Sequence, residues 1–172
     1  MIHEAKLSNK QFEYILGRLG LFLLCGIIYY CVELLYRGYS HYTMMILAGF
    51  LAVFCIDTPN NIYSFDLDFR IQVIISTILC TLGEGISGII LNKWLNLNIW
   101  DYSCLWGTFF WGQCNIMFIG AWILLVIIGI VLCDWWNYAI CHIEPCPYYK
   151  IGKFKFQSKY KQLSILNFIR RK

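Results

Sequence analysis

Charged side chains are scarce in this sequence. Only 14% of the 172 residues are charged, whereas soluble domains average about a quarter. The charges are missing from long stretches rather than thinned evenly, and 59% of the residues are hydrophobic. Water cannot solvate such a surface, so a soluble globular fold is excluded and lipid is indicated as the solvent. The length leaves room for one membrane bundle with short tails.

Enzyme motifs are also missing. The sequence contains no phosphate-loop pattern, no H-E-x-x-H pattern and no G-x-S-x-G pattern, so we expect neither an enzyme nor a bound cofactor.

The sequence has nine cysteines but no C-x-x-C pair, and most lie in apolar stretches where cysteine packs as a small hydrophobe. Metal binding or acylation at Cys141, His142 and Cys146 is an alternative to packing. Packing is the prediction, without a metal site.

Four apolar segments are candidates to cross a bilayer. They comprise residues 15–35, 42–56, 71–91 and 112–133. The second is short for a hydrocarbon core of about 30 Å, so a re-entrant or buried segment is its alternative. An aromatic segment, 105–111, is predicted to lie at the interface or to enter the bilayer and return before the last span. The sequence thus predicts an all-α integral membrane bundle of about four transmembrane helices.

The connector 57–70 contains a turn signal, Thr58-Pro59-Asn60-Asn61, and is predicted to be a surface loop. With four spans, this connector lies on the same side as both termini and shares most of the basic residues with them. The other side holds only Arg37 and Lys93. By the positive-inside rule, both termini are predicted to be cytoplasmic and the chain to be a multi-pass protein of the cell membrane.

The last residues differ in composition from the rest. A membrane domain, 1–149, is predicted to be followed by a basic amphipathic cytoplasmic tail, 150–172. Lysines alternate with aromatic residues in 153–156, and the apolar edge consists of Leu163, Leu166 and Ile169. We expect this tail to bind anionic membrane lipids rather than nucleic acid, because the membrane is the nearer anion.

Charged side chains within or beside the apolar segments are costly and should face the bundle interior or water. Glu33 and Arg37 are spaced i, i+4, with the acid first, which favours a pair. Glu84 lies well inside the third segment on a stripe of small and polar residues. The residues predicted to mediate close helix packing are Gly26, Thr77, Thr81, Gly85 and Gly88.

Two loops on the predicted outer side, 36–41 and 100–103, add to these groups. Arg37 and Asp101 are predicted to pair. The resulting outer polar cluster consists of Glu33, Arg37, His41, Glu84, Trp100, Asp101 and Tyr102. A functional site and a structural knot that fixes helix register are both open at this point.

Several short motifs resemble a known family. The motifs are Tyr-Arg-Gly-Tyr-Ser-His at 36–41, Ile-Ser-Gly-Ile-Ile-Leu-Asn at 86–92, Trp100-Asp101-Tyr102-Ser103, and Gly112-Gln113. They resemble the ABC-transporter type IV permease family (CmpB-like), small multi-pass proteins of bacterial membranes, over most of the chain. The resemblance implies a permease subunit that acts with a separate ATPase. A non-transporting scaffold or lipid-binding protein and a holin-like pore former are the alternatives, and self-association is open for all three.

Overall fold

The computed structural model describes residues 2–163, with side chains from residue 11 onward. Within them, four helices are long and apolar enough to cross a membrane. These are span 1 (Gln11–Arg37), span 2 (Tyr42–Ile62), span 3 (Phe69–Trp94) and span 4 (Ile116–Cys141). The prediction of an all-α bundle with four membrane-spanning helices is confirmed.

Three of the four spans change from α-helix to π-helix along their length. Span 1 belongs to α1 (Ile2–Arg37), whereas span 2 consists of α2 (Tyr42–Phe50), a π-helical stretch (Leu51–Asp57) and α3 (Thr58–Ile62). Span 3 is α4 (Phe69–Gly88) with a π-helical end (Ile89–Trp94), and span 4 is α5 (Ile116–Trp135) with a π-helical end (Trp136–Cys141). The π-helix is rare and often lies beside functional sites.

Span 2 is longer than the sequence suggested. Its 21 residues at about 1.5 Å each reach across a core of about 30 Å. The predicted turn at 58–61 is wrong, because the helix continues through it to Ile62. Pro59 lies in the first turn of α3, directly after the π-helical stretch, where a proline is tolerated without ending the helix.

The connections between spans define two ends of the bundle. The loop end carries residues 38–41 and 95–115. In the second of these segments, β1 (Thr108–Phe109) pairs with β2 (Cys114–Asn115). The hairpin end carries residues 63–68 and a β-hairpin of β3 (Tyr148–Ile151) and β4 (Phe154–Gln157). At the loop end, the segment 105–111 includes β1, and Trp106, two residues before this strand, has 83% of its surface exposed.

The first part of the predicted basic amphipathic tail, from residue 150, belongs to the strand pair of β3 and β4. Its alternation of lysine and aromatic residues has the period of a β-strand. The Gly152 amide donates to Asp68 at 2.7 Å, and Lys155 pairs with Asp66 at 3.0 Å, so the hairpin contacts the 63–68 loop. The predicted domain boundary at 149/150 falls inside β3. Leu166, Ile169 and the basic residues 170–172 lie outside the described residues.

Glycines allow the spans to approach closely. A Cβ added at Gly26 would lie 2.5 Å from the Met45 carbonyl oxygen, and one at Gly49 would lie 2.6 Å from that of Phe22. Small residues at such crossings let backbones meet where lipid supplies no hydrophobic drive.

The buried apolar core consists of Leu21, Leu51, Val53, Ile56, Val73, Cys80, Val126, Ile130 and Cys133. Many aliphatic side chains point outward, as lipid-facing residues do, among them Ile74, Leu124 and Ile128.

Candidate functional site

A cavity of about 310 Å³ lies between the four spans at the loop end. Its polar walls come from Glu33 and Arg37 on span 1, Glu84 on span 3 and Tyr102 in the 95–115 loop. Its other walls are mostly aromatic and aliphatic, and include Tyr29, Trp100, Phe118, Trp122, Met44 and Leu47. This loop-end cavity thus brings together five members of the predicted cluster: Glu33, Arg37, Glu84, Trp100 and Tyr102.

The carboxylate of Glu33 is fully engaged. Arg37 Nη2 donates to Glu33 Oε1 at 2.6 Å, and Ser40 Oγ donates to Glu33 Oε2 at 2.5 Å. The guanidinium also lies over the ring of Tyr39, 5.2 Å from its centroid. Because acid and base are one helical turn apart on α1, the pair forms within a single element. It leaves this side of the cavity close to electrically neutral.

Glu84 has a different environment. Its side chain is 8% exposed, with Trp122 Nε1 donating to Oε2 at 2.8 Å and the Tyr102 hydroxyl facing Oε1 at 3.4 Å. Both donors are neutral. Among the described residues, no arginine, lysine or histidine lies within ion-pair distance of Glu84. Within the described part of the chain, the carboxylate therefore borders the cavity without a cationic partner.

The 95–115 loop is fixed onto span 3 by a buried amide network. Asn92 Nδ2 donates to Gln113 Oε1 at 2.6 Å and to the Trp100 carbonyl at 2.8 Å. The Trp100 indole donates in turn to the Gln113 carbonyl at 3.1 Å. Gly88 makes room for this contact, since a Cβ there would lie 2.7 Å from Gln113. The network holds Trp100, which is 7% exposed, and Tyr102 against the cavity.

Two members of the predicted cluster lie outside the cavity walls. His41 caps the start of α2, where its ring nitrogen accepts from the Thr43 amide at 3.4 Å. Asp101 accepts from the Ser103 hydroxyl at 2.5 Å and lies 3.7 Å from Lys93. Hydrogen bonds from Ser103 hold the pKa of Asp101 below its usual value.

The predicted pair between Arg37 and Asp101 is wrong. Arg37 binds Glu33, which the helix places one turn away, while Asp101 accepts from Ser103 in its own loop and lies 3.7 Å from Lys93 at the end of span 3. A local partner needs no tertiary arrangement, so it is preferred over a partner on another loop.

Of the residues predicted to mediate helix packing, Gly26 lies at a crossing of two spans, whereas Gly85 and Gly88 lie against the 95–115 loop. Gly26 faces span 2, as described above. Gly85 lies against the ring of Phe110 and the thiol of Cys114, and Gly88 lies against Gln113. Thr77 and Thr81 are buried on the same stripe of α4, and their hydroxyls lack hydrogen-bond partners among the described residues.

No known protein family, curated protein or solved structure matches this chain. The resemblance to the type IV permease family stays a prediction.

A second polar region, which the sequence analysis missed, lies at the opposite end of the bundle. This hairpin-end cluster consists of Asp57, Asn60, Asp134, Asn137, Glu144 and Arg18. Asn60 Nδ2 donates to Asp134 Oδ1 at 2.5 Å, and Asn137 Nδ2 donates to Asp57 Oδ1 at 2.8 Å and to Glu144 Oε1 at 3.1 Å. Arg18 lies 3.7 Å from Asp57. The four Asp and Asn side chains are almost completely buried.

The arrangement of this cluster is reciprocal. Span 2 and span 4 each carry the spacing D-x-x-N, at Asp57/Asn60 and at Asp134/Asn137. Each asparagine donates to the aspartate of the other span. The repeated D-x-x-N was the signal in the sequence that could have revealed the contact. The turn assigned to 58–61 hid it, because it removed Asn60 from the helix.

The residues of the alternative metal or acylation site, Cys141, His142 and Cys146, contact separate partners. Cys141 packs against Gly17, and the His142 ring nitrogen lies 2.9 Å from the carbonyl oxygen of Leu163. The Cys146 thiol lies 3.3 Å from the carbonyl oxygen of Ser158. Among the described residues, no group of three or more His, Cys, Asp or Glu side chains is arranged to hold a metal ion.

Trp122 is the cavity residue whose importance the sequence analysis overlooked. The other six tryptophans lie near the ends of spans or in loops, whereas Trp122 lies inside an aliphatic span. An indole N–H in that position needs an acceptor, since lipid offers none. Glu84 provides it.

Proposed function

We propose that this chain is the membrane permease subunit of an ABC-type transporter, with its substrate bound in the loop-end cavity. The observation that supports this most directly is the cavity itself, about 310 Å³ between all four spans. Mostly apolar walls with a few well-placed polar groups are typical of small-molecule sites. Ionisable side chains at membrane depth commonly mark substrate pathways, and Glu33 and Glu84 border this cavity.

The proposal includes an orientation and a partner. Basic residues are concentrated at the hairpin end, so this end is assigned to the cytoplasm of the cell and the cavity to the outer half of the membrane. The chain contains no phosphate-loop motif, so a separate ATPase supplies the energy, as the family resemblance implies. Anionic membrane lipids are the expected partners of the basic C-terminal residues.

Purification from native membranes tests the partnership. The tagged chain is isolated in mild detergent, co-purifying proteins are identified by mass spectrometry, and ATP hydrolysis is measured after reconstitution with lipid. We expect a phosphate-loop ATPase to co-purify in a fixed ratio. Its absence, together with no ATP hydrolysis above that of a mock purification, would contradict the permease hypothesis and favour a scaffold.

A cavity-filling variant tests the role of the site. Ala48 lines the cavity, while Ile46 points outward from the same helix. Ala48→Phe should leave the ATPase bound but abolish the change in hydrolysis that substrate causes. Ile46→Phe, the matched control, adds a ring on the lipid side and should behave like the unaltered chain. Equal behaviour of the two variants would exclude the cavity as the substrate site.

A further inference from the structure

The loop-end cavity has unequal charges on its walls. Glu33 and Arg37 neutralise each other at 2.6 Å. Among the described residues, the hydrogen bonds to Glu84 come from the neutral groups of Trp122 and Tyr102. The wall therefore has one acidic group more than it has basic groups. A carboxylate buried away from water is stabilised by a proton or by a cation that comes close to it.

The surroundings of Glu84 indicate which cation would fit. Tyr102 stacks on Phe118 with ring centroids 4.7 Å apart, and Trp100 and Trp122 also line the cavity. Aromatic faces attract cations, most strongly quaternary ammonium groups, through the negative potential above the ring. Met44, Leu47 and Leu51 complete the wall with apolar surface. Such a site suits a ligand that has both a positive charge and an apolar body.

Other ligand classes fit less well. An anion would meet the unpaired carboxylate of Glu84, while Arg37, the cation on the cavity wall, is held by Glu33. A bare metal ion would need several oxygen, nitrogen or sulfur ligands, and the described residues contain no group of three or more His, Cys, Asp or Glu side chains that could hold one. A wholly apolar ligand would leave the buried charge of Glu84 without a partner.

We infer that the loop-end cavity binds a small organic cation, an amine or quaternary ammonium compound with an apolar body, through Glu84 and the surrounding aromatic rings. This inference rests on the proposed substrate site and adds the substrate class to it. Glu84 supplies the charge, and the rings together with Met44 and Leu47 supply the fit. Arg37 has a separate role, which is to neutralise Glu33 so that a single acid faces the ligand.

The test compares two probes of the same shape. Benzyltrimethylammonium carries the charge, and 2,2-dimethylpropylbenzene is its neutral counterpart. Binding to the full chain in lipid nanodiscs is measured by calorimetry, with empty nanodiscs subtracted. We expect saturable binding of the cation and binding of the neutral probe that is about tenfold weaker or more, because a buried charge pair is lost.

Variants identify the group responsible. Glu84→Gln keeps the size and the hydrogen-bond acceptor but removes the charge, so it should weaken cation binding about tenfold or more and leave the neutral probe unchanged. Asp66→Asn removes one carboxylate from the exposed 63–68 loop at the hairpin end and should change neither affinity. If Glu84→Gln does not fold, as judged by its thermal transition, the comparison of the two probes on the unaltered chain decides alone.

The outcomes separate this inference from the proposed function. Equal affinity for both probes, or unchanged cation binding in Glu84→Gln, would overturn the cation assignment. If Ala48→Phe still blocked the neutral probe in that case, the cavity would stand as a substrate site of another class. Failure to bind either probe would overturn the inference as well. Cation binding without any ATPase partner would support the inference and contradict the permease hypothesis.

Discussion

Buried carboxylates lie at both ends of the bundle, and the two ends surround them differently. At the hairpin end, Asp57 and Asp134 each receive an amide donor from the other span, at 2.8 Å and 2.5 Å, so a protein amide satisfies one oxygen of each carboxylate. At the loop end, Glu84 borders a cavity of about 310 Å³. The comparison shows that burial of an acid does not by itself indicate a ligand site. The loop end adds to the buried acid a cavity that the acid lines.

The largest effect is expected from Asn137→Ala, which removes the donor shared by Asp57 and Glu144. When a buried carboxylate loses a hydrogen bond, nothing offsets the free-energy cost of its removal from water. The free energy of unfolding should therefore fall by about 3 kcal/mol. Denaturant unfolding in detergent measures it. Gln11→Ala, an exposed amide of span 1, is the control and should have little effect. Equal stability of the two variants would show that the hairpin-end cluster is not a stabilising network.

The reciprocal geometry permits a sharper version of this experiment. Exchanging the two partners, in the double variant Asp57→Asn with Asn137→Asp, retains one acid and one amide in contact across spans 2 and 4. The double variant should be more stable than Asn137→Asp alone, because that single variant places a carboxylate against both Asp57 and Glu144, and Asp57→Asn replaces one of these two acids by an amide donor. Additive losses would mean that the two side chains act independently.

At the loop end, Gly88→Ala should displace the 95–115 loop. The added Cβ would lie 2.7 Å from Gln113, and overpacking of this kind costs about 1–3 kcal/mol. Cys114 reports the displacement, since it is buried and its thiol faces the Thr81 carbonyl at 3.4 Å. Maleimide labelling followed by peptide mapping should show faster modification of Cys114, with Cys133 in the core unchanged. Unchanged labelling of Cys114 would mean that the loop does not depend on Gly88.

The two ends also differ in how far the sequence revealed them. The Glu33–Arg37 pair is local to one helix, so spacing alone was sufficient to find it. The partner of Asp101 depends on the conformation of its loop, which spacing does not predict. In the structure, Asp101 accepts a hydrogen bond from Ser103 and does not pair with Arg37. The hairpin-end cluster required knowledge of which spans are neighbours. The spans themselves followed from apolar length, but the π-helical ends and the continuation through Pro59 shifted their boundaries.

The hairpin end should respond to pH through Glu144. Burial, with added repulsion from Asp134 and Asp57, raises the pKa of Glu144 to about 8, whereas a free glutamate titrates at about 4.3. Between these values the folded state binds more protons than the unfolded state, so Glu144 contributes stability at low pH that is lost as the pH rises to about 8.

Glu144→Gln isolates this contribution. The variant cannot titrate at position 144, so its stability should fall less steeply between about pH 5 and 8 than that of the unaltered chain. The loop acids Asp66, Asp68 and Asp101 have lowered pKa values and are ionised throughout this range. Thermal unfolding at several pH values provides the slope. Parallel curves for the two proteins would contradict the assignment.

The smallest effect is expected from Lys155→Ala, at the surface of the hairpin end. Lys155 and Asp66 form an ion pair at 3.0 Å, with both side chains more than half exposed, and such pairs contribute at most about 1 kcal/mol. The pair is screened by salt, so the small difference between Lys155→Ala and the unaltered chain should vanish at high ionic strength. A larger loss that persists in salt would show that the β3–β4 hairpin supports the cluster beneath it. The hairpin end would then be one cooperative unit, whereas the loop end combines a fixed frame with a cavity.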